Sequence, residues 1–266
     1  MPKGPGLLVR APHGSRSAGG LDTSPTTLGE NYVSEMARWS RTALDAVIVD
    51  LDGTMVDTLG DFAQALQRML ADLPEPFNTF TVHQDLVEKM VGKGSEHLIK
   101  SMLAHIDSAQ AAMENVALYE SAWAAYQRHY VEVNGLYSKV YPGVMQGLDD
   151  WKQQGLKMVC VTNKPTAFAK TLLADKGLAG YFSLVVGGDA VERKKPDPMP
   201  LLFACEQMGV APARTLMVGD SSNDAQAARA AGCPVLLVSY GYNHGQPVHA
   251  VDADAVVDSL ADFRWA

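Results

Sequence analysis

The sequence predicts an α/β fold, in which a doubly wound, Rossmann-like parallel sheet carries an inserted all-helical cap domain. An uncharged, β-branched run at 46–49 is typical of a strand that is buried on both faces. Residues 59–139 show only helical spacing of apolar side chains, and after residue 140 short apolar strands alternate with helices. The predicted organisation is a flexible N-terminal extension at 1–44, an α/β catalytic core at 45–58 and 140–266, and a helical cap domain at 59–139.

Composition limits the classes of function. The chain has 266 residues, of which 47% are hydrophobic, enough for one large domain or one domain with an insert. A net charge of −8 gives no general attraction to nucleic acid or to an anionic membrane surface. An apolar stretch of about 18 residues is absent from the sequence, so no transmembrane helix is predicted. Cys160, Cys205 and Cys233 lack zinc-ligand spacing, which predicts reduced core residues in a cytoplasmic protein.

The N-terminal extension has too little apolar surface to fold by itself. Residues 1 to about 30 are rich in Gly, Pro and Ser, and burial of their few apolar side chains cannot offset the entropy lost on ordering. Residues 31–41 are compatible with one short helix. No function is predicted for either segment.

The first predicted strand ends at an acidic loop, which contains Asp50 and Asp52. In open α/β sheets, ligands bind in the crevice outside the carboxyl ends of the strands. One carboxylate can attack an electrophile there while the other handles a proton. Gly53 lets the backbone approach a ligand closely, and Thr54 adds a hydroxyl. Because Asp-Gly pairs also occur in ordinary turns, this loop alone does not establish a site.

Apolar residues of the segment 59–139 repeat at the spacing of amphipathic helices. Two sets have this spacing: Phe62, Leu66, Met69, Leu70 and Leu73, and then Leu86, Met90, Leu98, Met102 and Ile106. A third set is aromatic: Tyr119, Trp123, Tyr126 and Tyr130. Such a stripe can stack on nucleic-acid bases, but the acidic balance and the lack of interleaved basic residues favour helix packing.

Strand and helix patterns alternate after residue 140, which implies right-handed parallel crossovers. The predicted strands are Lys157–Thr162, Leu184–Val186, Thr215–Val218 and Val235–Val238. The predicted helices are Thr166–Lys176, Met199–Met208 and Asp224–Ala231. The carboxyl ends of parallel strands meet at one edge of the sheet, so the loops that follow them should share a crevice with Asp50.

Three further polar clusters occur where these strands should end. Thr162 and Asn163 offer a hydroxyl and an amide, Lys195 precedes a helix, and Asp220 and Asp224 stand one helical turn apart. Each cluster alone also fits helix capping or a solvated charge. Four polar clusters at the same sheet edge are better explained by a functional site.

These motifs, in this order, resemble those of the haloacid dehalogenase-like hydrolase superfamily. The four motifs are Asp50-Leu51-Asp52-Gly53-Thr54, Thr162-Asn163, Lys195-Pro196 and Gly219-Asp220-Ser221-Ser222-Asn223-Asp224. Within the superfamily, the chain is most similar to the phosphoglycolate phosphatase family. That similarity lies in Lys195-Pro196-Asp197-Pro198-Met199-Pro200-Leu201, Gly92-Lys93-Gly94 and Tyr240-Gly241-Tyr242-Asn243-His244-Gly245. The resemblance spans roughly residues 45–262.

The resemblance implies a chemical role for each motif. Asp50 is the implied nucleophile, Asp52 the acid and base, and Lys195 the group that neutralises charge on the transferring oxygens. Binding of the phosphate oxygens is implied for Gly53, Thr54, Thr162 and Asn163. In the cap, Lys93 is predicted to contact a substrate carboxylate, and an exposed lysine in a turn is the alternative.

The resemblance also implies a Mg²⁺ site. Asp50 and Asp220 would give carboxylate oxygens, Asp52 its backbone carbonyl, and Asp224 support from farther out. Carboxylates about 4 Å apart repel by roughly 4 kcal/mol per pair at an effective dielectric constant of about 20, so a cation is needed. Oxygen ligands without His or Cys favour Mg²⁺ over zinc.

The predicted function is a Mg²⁺-dependent phosphatase of small phosphate monoesters, first among them 2-phosphoglycolate, with an aspartyl-phosphate intermediate. The alternatives are a sugar-phosphate mutase of the β-phosphoglucomutase type and a broad-specificity sugar or nucleotide phosphatase. A non-catalytic binding module is disfavoured, because a binder has no use for both Asp50 and Asp52. The expected partner is a small phosphate ester, with no nucleic acid and no membrane, and the oligomeric state is left open.

Overall fold

The computed structural model describes residues 40, 42–107 and 115–265. The predictions for residues 1–39, which include most of the short helix at 31–41, lie outside the described residues. The strands are β1 (Ala46–Val49), β2 (Val56–Asp57), β3 (Lys139–Val140), β4 (Lys157–Val161), β5 (Leu184–Val186), β6 (Thr215–Gly219), β7 (Val235–Val238) and β8 (Ala255–Val257).

α-Helices connect most of these strands in the described part of the chain. They are α1 (Leu59–Ala71), α2 (Gln84–Glu88), α3 (Ser95–Ile106), α4 (Val116–Val133), α5 (Val144–Gln153), α6 (Thr166–Asp175), α7 (Met199–Met208) and α8 (Ser222–Ala231). Among the residues described, none of these helices has the length and apolarity needed to cross a lipid bilayer.

The predicted fold class is confirmed, because six strands form one parallel sheet in the order β5-β4-β1-β6-β7-β8. Val49 of β1 pairs with Cys160 of β4 on one side and with Val218 of β6 on the other. The chain passes from β1 to β4 and β5 and then returns to β6, so the strand order reverses at β1. In open α/β sheets this reversal point is where ligands bind.

Helices cover both faces of the sheet, which explains why β1 is apolar throughout. Val47 and Val49 face one hydrophobic cluster, to which α5 and α6 contribute. Ala46 and Ile48 face the opposite cluster, to which α7 and α8 contribute. Because side chains alternate along a strand, β1 can contact both clusters only if every one of its residues is apolar.

Most predicted core elements occur at nearly the expected bounds, and the structure adds others. Strand β8 has three residues and lies between acidic positions, so it is too short for a clear alternating pattern. Helix α5 buries a single face that includes Val144, Leu148 and Trp151. Strands β2 and β3 form a separate antiparallel pair of two residues each, below the length that periodicity can detect.

Helices α1, α3 and α4 surround a further hydrophobic cluster, to which Tyr242 also contributes. This cluster contains all of the first predicted apolar set: Phe62, Leu66, Met69, Leu70 and Leu73. Of the aromatic stripe, Tyr126 and Tyr130 are buried and stack with ring centroids 5.3 Å apart, whereas Trp123 is 36% exposed. Two of the four aromatic residues of the stripe therefore pack inside the helical segment 59–139.

The helical segment leaves and rejoins the core at one neck. Val56 pairs with Val140 across β2 and β3. Beside this pair, the fully buried Asp61 accepts hydrogen bonds from the backbone N–H groups of Gly135 at 2.8 Å and Tyr137 at 2.7 Å. The carboxylate is satisfied by the returning chain, and it holds the two chain crossings together.

Candidate active site

The carboxyl ends of β1, β4 and β6 meet at the point where the strand order reverses. Asp50 follows β1, Thr162 follows β4 and Asp220 follows β6, and all three side chains are buried. Since the strands are parallel and adjacent, their loops begin side by side. The structure therefore brings three of the four predicted polar clusters to one crevice through the strands themselves, and the fourth arrives with Lys195.

Asp50, Asp220 and Asp224 form an acidic cluster whose ligand atoms lie within 4.8 Å of one another. The ammonium of Lys195 donates to Asp224 Oδ1 at 2.6 Å and lies 3.0 Å from Asp50 Oδ1. It also donates to the carbonyl oxygen of Val161 at 2.9 Å. These partners use all three N–H donors of the ammonium, so Lys195 is a positive charge with a defined position.

The acidic cluster resists ionisation. Burial raises the pKa of Asp50 to about 7, Lys195 opposes this rise, and the charge of Asp224 adds to it. Burial also raises the pKa of Asp220, and the charges of Asp224 and Asp50 raise it further. A bound cation would relieve this repulsion, and the donors of the cluster are all carboxylate oxygens, which suit a hard divalent ion. The cluster can therefore hold a metal ion.

Asp224 is bonded mainly within its own helix. Its Oδ2 accepts from Ser221 N at 3.1 Å and from Ser221 Oγ at 2.8 Å, which forms a capping box at the start of α8. Its Oδ1 accepts from Lys195. Asp224 already has a cationic partner in Lys195, whereas Asp220 accepts only from neutral donors, so Asp224 suits a supporting position better than the first coordination sphere of a metal.

Two glycines allow the loops to close around Asp220. Gly53 has φ +84°, and a Cβ there would lie 2.3 Å from Asp220 Oδ2. A Cβ on Gly241 would lie 2.1 Å from Asp220 Cβ. Thr54 Oγ1 donates to Asp220 Oδ1 at 3.2 Å, and Tyr242 N donates to Oδ2 at 2.7 Å. Gly53 and Thr54, the predicted phosphate contacts, thus lie against Asp220.

Asn163 joins two other parts of the site. Its Nδ2 donates to the carbonyl oxygen of Lys195 at 2.8 Å and to that of Gly92 at 2.9 Å. Its Oδ1 is buried and has no hydrogen-bond partner within the described part of the chain. Thr162 Oγ1 accepts from Lys164 N at 3.2 Å, which leaves the hydroxyl proton of Thr162 available to a ligand.

Asp52 forms an ion pair that sequence reasoning missed. Lys164 Nζ lies 2.9 Å from Asp52 Oδ1 and donates to the hydroxyl of Tyr130 at 2.5 Å. The same ammonium lies 4.7 Å from the ring centroid of Phe62. The sequence signal for Lys164 is its place directly after Asn163, and that for Tyr130 is the aromatic stripe. Neither signal shows that the two residues meet.

A cavity of about 40 Å³ lies between this crevice and the helical segment, with room for a few water molecules. The core contributes Asp50, Asp52, Thr162, Asn163, Lys164 and Asp220 to its lining, and the helical segment contributes Phe62, Gly92, Gly94, Ser95, Leu98 and Tyr130. The two parts of the molecule therefore enclose a space suited to a small ligand.

Lys93 lies outside the lining of this cavity, although its neighbours Gly92 and Gly94 belong to it. Its side chain is exposed. Burial lowers the pKa of His244, and the charge of Lys93 lowers it further. The ammonium thus stands near the cavity rim, and its contact with a substrate carboxylate stays a prediction.

The loop at 91–94 is bonded to the core by side chains that the sequence motifs did not assign. Asn223 Nδ2 donates to Gly92 O at 3.1 Å and lies 3.2 Å from His244 Nε2. His244 Nδ1 lies 2.9 Å from Val91 O. A carbonyl oxygen only accepts, so Nδ1 carries the proton and Nε2 accepts from Asn223. Burial lowers the pKa of His244, which favours this neutral form.

A doubly wound sheet with buried carboxylates and a lysine beside its central strand is typical of an α/β enzyme whose acidic centre could hold a cation. A family model for haloacid dehalogenase-like hydrolases matches residues 44–232. The chain belongs to this family of hydrolases, which confirms the resemblance that the motifs predicted.

Relatives and solved structures agree with this assignment. The chain is 46% identical over 219 residues to the phosphoglycolate phosphatase of Thiobacillus denitrificans, with 82% of this chain and 93% of the relative covered. It is 45% identical over 215 residues to a plasmid phosphoglycolate phosphatase of Cupriavidus necator, with 81% and 89% covered. A crystal structure of a predicted phosphoglycolate phosphatase from Haemophilus somnus matches with a TM-score of 0.77 and 31% identity, with 83% and 96% covered.

Proposed function

We propose that this hydrolase is a Mg²⁺-dependent phosphatase of small phosphate monoesters and that its substrate is 2-phosphoglycolate. The observation that carries the proposal is the buried contact of Lys195 with Asp50 and Asp224, beside Asp220, at the end of the central strand. This arrangement joins a carboxylate nucleophile to a fixed positive charge. The shared name of the relatives supports the choice of substrate.

Asp50 is the proposed nucleophile. The Leu51 N–H donates to Asp50 Oδ1 at 2.7 Å, and Lys195 lies 3.0 Å from the same oxygen. We therefore assign the attack on phosphorus to Oδ2, with formation of an aspartyl-phosphate. The ammonium of Lys195 neutralises part of the charge that develops on the transferring oxygens.

Asp52 is the proposed acid and base. It stands two residues after Asp50 and lines the same cavity. In the first step it gives a proton to the leaving alkoxide, and in the second it takes a proton from the water that hydrolyses the aspartyl-phosphate. Both steps use one carboxyl group, so its proton balance is restored at the end of each cycle.

The proposed Mg²⁺ ligands are the carboxylates of Asp50 and Asp220 and the backbone carbonyl of Asp52, with Asp224 in a supporting position. The bonds of Asp224 to Ser221 and Lys195 support that position. When bound, Mg²⁺ would screen the negative charge of the carboxylates and of the phosphoryl group.

The phosphoryl oxygens have proposed partners on three loops. Thr162 can donate its hydroxyl proton, since its oxygen already accepts from Lys164 N. Asn163 holds the backbone at Lys195 and Gly92, and its role is to keep these loops in place. Gly53 and Thr54 are proposed to bind through the loop that they form, because Thr54 Oγ1 is directed to Asp220.

We infer that residues 59–139 act as a cap over the core formed by 45–58 and 140–266. The hydrophobic cluster that the segment's helices surround, formed almost entirely by residues of the segment, and the single neck support this division. A small ester offers few contacts, so a cover that excludes water should supply most of the selectivity. The buried, free cysteines support a reducing compartment such as the cytoplasm.

A sugar-phosphate mutase is the second candidate, because it would use the same pair of Asp50 and Asp52. The shared name of the relatives favours the phosphatase over the mutase. The discriminating product is inorganic phosphate for a phosphatase and an isomerised sugar for a mutase.

The decisive experiment is phosphate release from 2-phosphoglycolate, hexose phosphates and nucleoside monophosphates, each with Mg²⁺ and with EDTA. We expect Mg²⁺-dependent turnover with a strong preference for 2-phosphoglycolate. Hexose-directed turnover would preserve the chemistry and reject the substrate. A complete lack of turnover with Mg²⁺ would reject the phosphatase itself.

A further inference from the structure

Lys164 is a second buried ammonium at the site, and its surroundings differ from those of Lys195. Lys195 gives all three donors to protein oxygens. Lys164 is 5% exposed and bonds only Asp52 Oδ1 and the Tyr130 hydroxyl among the described residues. One N–H donor is left over, and the residue lines the cavity. This ammonium can therefore bind a further anionic or polar group.

The walls around Lys164 are aromatic. Its Nζ lies 4.7 Å from the ring centroid of Phe62 and 4.9 Å from that of Tyr130. Both rings replace water around the charge, which strengthens the attraction to any anion that enters. Gly94 and Ser95 also line the cavity and stand at the N-terminus of α3, a helix of 12 residues, where an anion is favoured.

The position of Lys164 relative to Asp52 relates it to the leaving group. In the proposed reaction, Asp52 protonates the leaving oxygen, so that oxygen lies within hydrogen-bond distance of Asp52. Lys164 Nζ lies 2.9 Å from Asp52 Oδ1, on the side of the helical segment. In 2-phosphoglycolate the carboxylate carbon is only two bonds from the leaving oxygen, within reach of the same ammonium.

We propose that Lys164 binds the carboxylate of the leaving group and selects phosphate esters that carry an acidic tail. This inference rests on the proposed function and names the residue that gives it specificity. Two other lysines, Lys93 and Lys194, lie beside Gly94, but Lys93 is exposed, Lys194 is half-buried, and neither belongs to the cavity lining. The charge that selects the substrate is therefore the buried ammonium of Lys164, which contacts Asp52, the proposed acid for the leaving group.

Lys164→Met tests the proposal, because methionine keeps the length of the side chain and removes the charge. We compare kcat/KM for 2-phosphoglycolate with that for ethyl phosphate, which has a methyl group in place of the carboxylate. The wild-type enzyme should prefer 2-phosphoglycolate. Both esters lose the contact between Lys164 and Asp52 in the variant, but only 2-phosphoglycolate also loses a partner for its carboxylate. The ratio of kcat/KM for 2-phosphoglycolate to kcat/KM for ethyl phosphate should therefore fall about 30-fold.

Binding without chemistry gives an independent readout. In 3-phosphonopropionate and propylphosphonate a methylene replaces the bridging oxygen, so neither is cleaved, and only the first carries a carboxylate. The wild-type enzyme should bind the carboxylate compound more tightly as an inhibitor, and Lys164→Met should remove most of that preference. Lys164→Arg should retain part of it. Lys170→Met, on the exposed face of α6, is the matched control and should retain all of it.

The outcomes separate this inference from the proposed function. If kcat/KM falls equally for both esters and the inhibitor preference is unchanged, Lys164 acts only through Asp52, and the inference about Lys164 is overturned. If Lys164→Met keeps the preference for the carboxylate compounds, the inference about Lys164 is also overturned, but 2-phosphoglycolate remains the proposed substrate. If the wild-type enzyme shows no preference for the carboxylate compounds, both the role of Lys164 and the proposed substrate are rejected. If Lys164→Met does not fold by circular dichroism, Lys164→Gln, which can still hydrogen-bond Asp52, replaces it in the same comparisons.

Discussion

Asp50 shows how its neighbours set the properties of one side chain. Burial raises its pKa to about 7, even though Lys195 stabilises the charged form. The ammonium is shared, since it bonds Asp224 at 2.6 Å and lies 3.0 Å from Asp50. A buried carboxylate without full charge compensation interacts strongly with any positive or electrophilic centre that enters. This property suits a nucleophile that works together with a cation.

Asp50→Asn should abolish turnover and preserve binding. The amide keeps the shape of the side chain but lacks the nucleophilic carboxylate, so we expect kcat to fall at least about 1,000-fold. The inhibition constant of the wild-type enzyme and the dissociation constant of the variant for 3-phosphonopropionate should agree within about threefold. The control is Asp85→Asn on exposed α2. A variant with near wild-type kcat would exclude Asp50 as the nucleophile.

Gly241→Ala should damage the Asp220 loop. The new Cβ would lie 2.1 Å from Asp220 Cβ, so the backbone has to move. We expect a loss of about 1–3 kcal/mol in the free energy of unfolding and a lower apparent affinity for Mg²⁺. Urea unfolding and Mg²⁺ titration of activity measure the two effects. Gly180→Ala is the control, because its Cβ meets nothing within 4 Å, and equal behaviour of the two variants would refute the steric argument.

At the scale of elements, the loop at 91–94 links the helical segment to the loops at the edge of the sheet. Three side chains hold its carbonyl oxygens: Asn163 and Asn223 bond Gly92, and His244 bonds Val91. All three donors are neutral, since His244 has a lowered pKa. Neutral hydrogen bonds contribute about 1 kcal/mol each, so these contacts can break and form again. The loop can therefore move away from the core when a ligand enters or leaves.

Asn223→Ala should loosen this loop without touching the chemistry. The variant loses the bond to Gly92 O and the partner of His244 Nε2. We expect KM to rise about fivefold with kcat within about twofold, measured by steady-state kinetics. Asn115→Ala removes the N-cap bond of α4 instead and should leave KM unchanged. An unchanged KM in Asn223→Ala would mean that the loop does not depend on this contact.

At the scale of the whole molecule, the site depends on residues from distant parts of the chain. Asp52 and Lys164 are 112 positions apart, and Gly92 and Asn223 are 131 apart. The acidic cluster likewise joins the loop after β1 to the loop after β6. A ligand held by both loops binds the folded state alone, and it therefore stabilises the whole fold.

Mg²⁺ should raise the melting temperature of the enzyme. At a Mg²⁺ concentration about 100 times the dissociation constant, binding adds about 2.7 kcal/mol to the free energy of unfolding, which corresponds to roughly 5–10 °C for a chain of this size. Scanning calorimetry with Mg²⁺ and then with excess EDTA measures the shift and its reversal. Asp220→Asn should lose most of the shift. An equal shift in that variant would place the metal elsewhere.

Local patterns were enough to predict the fold class and the family. Apolar runs such as 46–49 depend on burial on both faces, and the motif around Asp50 is contiguous in the chain. The same patterns missed β8 and the pair β2–β3, which are three and two residues long. In segments this short, pairing with a neighbouring strand decides the structure, and no period can be read from the sequence.

By itself, the sequence determined that this is a parallel α/β hydrolase of the haloacid dehalogenase-like family. The apolar runs of buried strands and the loop motifs consist of contiguous residues, so both can be recognised without the tertiary structure. Only the tertiary structure decided which side chains meet in the cavity. Lys164 reaches Asp52 and Tyr130, whereas Lys93 stays exposed, although both lysines follow small or polar neighbours in the sequence. The physical reason is that such contacts depend on how the helical segment packs over the sheet edge, and this packing involves residues far apart in the chain.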